Sequence, residues 1–76
     1  MNKERLKTLS QIEALLDQAL EMLTDVADEE QEAFDNMPES LQQSERGERA
    51  NECADLLATA RDDLENVKAN IGEIGR

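Results

Sequence analysis

Apolar residues in the first half of the chain recur at alternating intervals of three and four. They are Leu9, Ile12, Leu16, Ala19, Leu23 and Val26. Because an α-helix completes a turn every 3.6 residues, this spacing places them on one stripe of a helix. Further apolar residues widen the stripe: Leu6, Leu20, Ala27 and Phe34 on one flank, and Leu15 and Met22 on the other. We therefore predict one long helix over about residues 3–35, with a stripe too broad for a single neighbouring helix to cover.

Polar residues around Pro38 interrupt this pattern. Proline cannot continue a helix without losing a hydrogen bond, and it biases the preceding residue, Met37, away from helical angles. We therefore predict a connection over about residues 36–43, with room for one helical turn after Pro38. Ser44 is the predicted N-cap of the helix that follows, because its hydroxyl can accept a hydrogen bond from a backbone N–H of the first turn.

The second half of the chain holds the most regular pattern, and it predicts a helix over about residues 45–71. Its apolar residues at three–four spacing are Ala50, Cys53, Leu57, Ala60, Leu64, Val67, Ile71 and Ile74. This stripe is narrower than the first. Gly47 lies in the first turn, where glycine costs up to about 1 kcal/mol relative to alanine. Gly72 is predicted to end the helix.

Two long helices joined by a short connection lie antiparallel, so the predicted fold is an all-α helical hairpin. A chain of 76 residues buries too little surface for ready stability as a monomer, and small domains compensate with disulfides, metals or self-association. A single cysteine and no histidine leave self-association. We predict a twofold homodimer forming a four-helix bundle. The predicted interface residues are Leu9, Leu15, Leu16, Met22, Leu23 and Val26. The alternative is a monomer whose groove is closed by a short helix after Pro38.

The formal net charge of −11 limits the possible partners. Such a charge repels nucleic acids and anionic membranes, so neither is expected to bind directly. No apolar run approaches the roughly 20 residues that span a bilayer, and no hydrophobic segment follows the basic N-terminal residues as in a signal peptide. The predicted location is therefore the cytoplasm.

The acidic residues are distributed unevenly along the chain. No lysine or arginine occurs between Lys7 and Arg46, whereas carboxylates recur there at intervals of about four. The predicted partner-binding residues are Glu13, Asp17, Glu21, Asp25, Asp28, Glu29 and Glu32. Like charges four apart destabilise a helix by a few tenths of a kcal/mol per pair, so the row is not explained by helix stability. It is either a solubilising face or a surface that occupies a basic groove by imitating nucleic-acid phosphates.

Residues suited to catalysis or metal binding are few. The chain lacks histidine, and Cys53 lies on the apolar stripe of the second helix, where a buried thiol is inert. We therefore expect no enzymatic activity, no cofactor and no metal site. A second candidate partner surface lies near the connection, where two apolar residues stand among polar ones and two arginines follow. These residues are Met37, Leu41, Arg46 and Arg49. The arginines alternatively neutralise glutamates across the connection.

The segment EAFDNMPESLQQSERGE, residues 32–48, resembles a segment of small acidic helical proteins of bacteriophages and prophages. This resemblance implies a phage-encoded accessory protein acting in the host cytoplasm. Small acidic phage proteins often bind and block host nucleic-acid enzymes or defence complexes, so the resemblance favours an inhibitor of that kind. The competing hypothesis is a regulatory or assembly module that binds through the end of the bundle without nucleic-acid mimicry.

Overall fold

The structure is a computed structural model that describes residues 1–75. The described chain consists of three helices, α1 (Lys3–Asp35), α2 (Glu39–Gln42) and α3 (Glu45–Ile74), with no strand. Helices α1 and α3 pack against each other along an elongated molecule of 58 × 15 × 14 Å. The predicted all-α class and helical hairpin are confirmed.

Both ends of α1 follow from local chemistry. The Asn2 side chain accepts a hydrogen bond from the backbone N–H of Arg5 at 2.8 Å and so caps the first turn. At the other end, the backbone N–H of Met37 donates to the carbonyl of Phe34 at 3.0 Å, which tightens the last turn before Pro38. Because Pro38 cannot continue the helix, the chain turns there.

The connection contains the single helical turn that the sequence allowed for, α2. The Gln42 side-chain amide donates to the Phe34 carbonyl at 3.0 Å and ties this turn to the end of α1. Ser44 caps α3: its hydroxyl oxygen accepts from the backbone N–H of Gly47 at 3.2 Å and donates to the Leu41 carbonyl. The predicted N-cap is therefore confirmed.

Gly47 is buried where α2 packs against the first turn of α3. A Cβ atom at this position would overlap the backbone carbonyl oxygens of Leu41 and Gln42, and would lie 2.5 Å from the Gln42 Cα. The sequence indicated only a small cost to helix stability. The structure shows instead that glycine is required for the close approach of the two segments.

The prediction that Gly72 ends the second helix is wrong. Helix α3 continues through Gly72 to Ile74, and the backbone N–H of Gly75 donates to the Ile71 carbonyl at 3.2 Å. A glycine stops a helix by adopting a positive φ, and none of the glycines among residues 1–75 does so.

The face of α1 that meets α3 also follows a three–four spacing, but differs from the predicted stripe. Its half-buried or buried members are Leu6, Leu9, Glu13, Leu16, Leu20, Leu23, Ala27, Glu30 and Phe34. Ile12, Ala19 and Val26, predicted on the packed stripe, are exposed. The sequence contains two overlapping apolar ladders, and the hairpin uses the one that includes Glu13 and Glu30.

The same shift occurs on α3. Its half-buried or buried seam comprises Gly47, Ala50, Ala54, Leu57, Arg61, Leu64, Lys68 and Ile71, with Cys53 and Ala58 beside it. Ala60, Val67 and Ile74 were predicted on the packed stripe and are exposed. Charged side chains at several seam positions explain why periodicity of apolar residues alone selected the wrong ladder.

The core between the helices is thin. Among residues 1–75, the apolar residues that are buried are Ala27 and Ala54, and no large side chain is fully buried. The short helix α2 does not close the groove as in the alternative prediction. It packs on the first turn of α3 and leaves Leu15 64% and Met22 65% exposed. The hairpin by itself is therefore a marginal fold.

Candidate protein-binding surfaces

The inner seams divide the hairpin into two sides. When seam residues are assigned heptad positions a and d, positions g and c lie on one flank of each helix, and e and b on the other. Because the two helices of an antiparallel pair run in opposite directions, the g position of one helix faces the g position of the other. The e positions face each other in the same way on the opposite side. The two helices therefore build each side of the hairpin together.

One side, at positions e and b, is acidic and is called here the acidic side. Its carboxylates are Asp17, Glu21, Asp28 and Asp35 on α1, and Glu48, Asp55, Asp62 and Glu65 on α3. All eight are exposed. Lys3 and Lys7, both near the start of α1, are the basic residues at these positions of the described helices. The acidic side thus extends over most of the hairpin and is shared by both helices.

The predicted partner-binding residues do not all lie on this side. Four residues of a helix advance about 400°, so a row at four-residue spacing drifts about 40° per step around the axis. Glu13 is consequently half-buried on the seam, with its Oε1 3.9 Å from the position of a Cβ on Gly72, whereas Asp25 and Glu32 lie on the outer row of α1. Glu29 falls on the opposite side. Asp17, Glu21 and Asp28 belong to the acidic side.

The carboxylates of α3 are not among the predicted partner-binding residues. A signal for them exists, because Glu48, Asp55 and Asp62 are seven residues apart and therefore lie on one face of a helix. What the sequence alone does not provide is the heptad register, which places this row beside that of α1.

Asp17 and Lys68 form an ion pair that joins the two long helices. The hydrogen bond from the Lys68 ammonium to Asp17 raises the pKa of Lys68, and the charges of Asp17, Glu13 and Glu65 act in the same direction. The raised pKa means that the pair stabilises the hairpin at neutral pH, and that this contribution is lost as the pH rises above 10.5 and through the pKa of Lys68.

We expect Asp17→Asn to lower the pKa of Lys68 toward its ordinary value of 10.5, because the substitution removes both the charge and the charged acceptor. NMR titration of the Lys68 side chain measures this shift, with Asp25→Asn on the outer row of α1 as the control that leaves it unchanged. An unaltered Lys68 titration in Asp17→Asn would contradict the ion pair.

The other side of the hairpin, at positions g and c, is called here the apolar side. Its exposed apolar residues are Ile12, Leu15, Ala19, Met22, Val26 and Ala33 on α1, and Leu56, Ala60, Val67 and Ile74 on α3. Single exposed apolar residues are ordinary on a protein surface, but a stripe along α1, continued on α3 with Asp63 and Asn70 between its apolar residues, indicates an interaction surface.

The six predicted dimer-interface residues divide between two locations. Leu15, Met22 and Val26 lie on the apolar side, exposed to solvent. Leu9, Leu16 and Leu23 lie on the inner seam, half-buried against α3, because they occupy d positions of the heptad. In the described hairpin, only the first group is free to meet another molecule.

The surface near the connection is less open than the sequence suggested. Met37 and Leu41 are half-buried, so they fold back onto the end of the hairpin. Arg46 and Arg49 are exposed, and Arg49 pairs with Glu52 at 3.3 Å within α3 rather than with a glutamate across the connection.

Residues 1–75 enclose no pocket, and they bring together no group of carboxylates and thiols with the geometry of a metal site. None of the three described helices combines the length and hydrophobicity needed to cross a membrane. Comparison with protein-family models, with curated proteins and with solved structures gives no match to this chain. What the chain displays is a hairpin with one acidic and one apolar side.

Proposed function

We propose that this protein is a non-enzymatic interaction protein: a homodimeric four-helix bundle that binds a basic surface of another protein through its acidic side. The observation that carries this proposal is the concentration of eight exposed carboxylates on one side of the hairpin and of the large exposed apolar residues of α1 and α3 on the other, where Glu29 and Asp63 are the exposed carboxylates. One side is suited to self-association, and the other remains available to a partner.

The thin core supports self-association. Burying a Leu, Ile, Val or Met side chain contributes about 1.5–3 kcal/mol relative to leaving it exposed. Ile12, Leu15, Met22 and Val26 are all exposed on α1, and Leu56, Val67 and Ile74 on α3. Covering this side with a second copy therefore adds apolar burial that the thin core of the single hairpin lacks.

The arrangement of charge supports a basic protein partner. Carboxylates in rows on two adjacent helices repel one another, which costs folding free energy rather than adding to it. The same field attracts a positively charged groove and accelerates encounter with it. A groove lined by lysine and arginine is typical of proteins that bind nucleic acid, so the acidic side would compete with nucleic acid for that groove.

The setting suggested by residues 32–48 agrees with this role. Their resemblance to small acidic phage proteins favours a host protein as the partner, whose nucleic-acid binding is inhibited or modulated when the acidic side occupies the groove. Direct binding of nucleic acid or of a membrane is not part of the proposal, because both carry the same sign of charge as the protein.

The test compares two variants with an equal change of formal charge, +4 each, as bait in bacterial lysate. Glu21→Lys with Asp28→Lys alters the acidic side. Glu52→Lys with Thr59→Lys and Asn66→Lys alters the outer row of α3. We expect wild type and the outer-row variant to capture a protein that is displaced by duplex DNA or by 0.5 M salt. Salt should displace it because the distance over which charges act in solution, about 10 Å at 0.1 M, becomes shorter as the ionic strength rises. The acidic-side variant should no longer capture this protein.

Two outcomes would overturn this role. Equal loss of capture in both variants would show that net charge alone matters. If a protein is still captured at high salt and by the acidic-side variant, the binding site would instead lie at the end of the hairpin, around Met37, Leu41, Arg46 and Arg49. Circular dichroism of each variant verifies that helicity is retained.

A further inference from the structure

The exposed residues on the apolar side of α1 have a symmetric order. Ile12 and Val26 each lie seven positions from Ala19, and Leu15 and Met22 lie four and three positions from it. The stripe therefore reads as large, large, small, large, large in both directions. A surface with this property is complementary to itself when a second copy is turned end for end about Ala19, which is the requirement of a twofold interface.

The apolar side of α3 is centred at the same level. Ala60 and Ile74 each lie seven positions from Val67, with Asp63 and Asn70 between them. The Asp17–Lys68 ion pair fixes this alignment, because it joins the residue two positions before Ala19 to the residue after Val67. One axis at the level of Ala19 therefore passes close to Val67, and Leu56 lies outside the symmetric part of the α3 stripe.

The charges at the two ends of α1 are complementary. Lys3, Arg5 and Lys7 make the start of the helix basic, with Glu4 as the one acidic residue among positions 1–12. Positions 25–35 carry six carboxylates and no basic residue. Turning a second copy end for end brings each basic end against an acidic segment, whereas aligning two hairpins with their connections together would place each α1 on the partner's α3 and leave its basic start away from the partner's acidic segment.

We propose that a second copy of this chain covers the apolar side, related by a twofold axis perpendicular to the helices at the level of Ala19 and Val67. Each α1 then packs antiparallel on the α1 of its partner, and each α3 on the partner's α3. Ala19 meets the partner's Ala19, whose small side chain permits close approach. Ile12 meets the partner's Val26, and Leu15 the partner's Met22. This arrangement specifies the dimer of the proposed function and rests on it.

The arrangement has a consequence for binding. With the apolar sides buried against each other, the two acidic sides point in opposite directions, outward from the bundle. The dimer therefore offers two equivalent binding surfaces on opposite sides of the bundle.

Cysteine cross-linking tests the register. In a Cys53→Ser background, Ala19→Cys should form a disulfide-linked dimer on mild oxidation, because the two residues meet at the axis. Ile12→Cys alone should not, since its two copies lie 14 residues apart along the helix direction, about 21 Å. Mixing Ile12→Cys with Val26→Cys should restore the cross-link between unlike chains.

The possible outcomes separate the register from the dimer itself. Cross-linking of Ile12→Cys to Ile74→Cys in mixed chains, without cross-linking at Ala19, would overturn the register and show hairpins with their connections together. A wild-type protein that sediments as a monomer would overturn the dimer as well. Arg5→Glu should raise the dissociation constant of the dimer at low salt about tenfold, as measured by sedimentation. Adding Glu29→Arg to this variant should restore the dissociation constant. No restoration would contradict the pairing of the ends.

Discussion

Replacing Gly47 by alanine is expected to lower the free energy of unfolding by about 2 kcal/mol, although alanine is the better helix former. Overpacking a tight site costs about 1–3 kcal/mol and more where backbone must move, and only about 1 kcal/mol is returned by helix propensity. At Gly47 the atoms in the way are the backbone of Leu41 and Gln42, so α2 must separate from α3. Urea unfolding monitored by circular dichroism measures the loss.

Gly72→Ala is the matched control, because it makes the same chemical change in the same helix. Its Cβ would lie 3.9 Å from the Glu13 carboxylate, an ordinary contact, and the residue is helical. We expect it to stabilise the protein by up to about 1 kcal/mol. Both variants are compared at one protein concentration, since the stability of a dimer depends on it. Similar stabilisation by both substitutions would show that α2 does not pack closely on Gly47.

The elements that the sequence predicted correctly are those determined by neighbouring residues. Pro38 breaks the helix through its missing N–H, and Ser44 caps the next helix through a hydrogen bond to Gly47, three positions away. Helix α1 begins and ends at the predicted residues for the same reason. Each of these features depends on interactions within one or two turns, which a sequence displays directly.

The choice between the two apolar ladders of α1 could not be predicted in this way. Leu16 belongs to both ladders, whereas Ile12 and Leu20 belong to one each, and all three are equally apolar. The choice depends on how α1 pairs with α3, including whether Lys68 can reach Asp17 across the seam. Tertiary pairing also decides that Gly47 needs to be glycine. Periodicity identifies an amphipathic helix but not which of two stripes meets a given neighbour.

The candidate binding surface was predicted in part for the same reason. Carboxylates at four-residue spacing do not stay on one line of the helix: the row turns from the seam at Glu13 to the outer row at Asp25. Rows at seven-residue spacing remain on one side, as Glu21 and Asp28 do on α1 and Asp55 and Asp62 do on α3. Once the register is known, carboxylates from both helices combine into one surface.

The substitutions Leu15→Glu and Met22→Glu are expected to weaken dimerisation by at least a thousandfold. Both side chains are about two-thirds exposed in the single hairpin, so neither is needed for the contact between α1 and α3. In the proposed dimer each meets the other across the axis, and four apolar side chains are replaced by four carboxylates of like charge. Each of the four side chains loses about 1.5 kcal/mol of burial free energy, and together these losses exceed the about 4 kcal/mol that corresponds to a thousandfold change in the dissociation constant.

The control introduces the same two charges on the same helix, at Gln11→Glu and Gln18→Glu, which lie on the exposed outer row of α1. Sedimentation equilibrium over about 1–100 µM separates the cases. The control should remain a dimer, and the Leu15 and Met22 variant should become a monomer that loses helicity, because Ala27 and Ala54 are all that is buried among its described apolar residues. If that variant kept the mass and helicity of the wild type, the apolar side would not be where two copies meet. The outward arrangement of the acidic sides would then lose its physical basis.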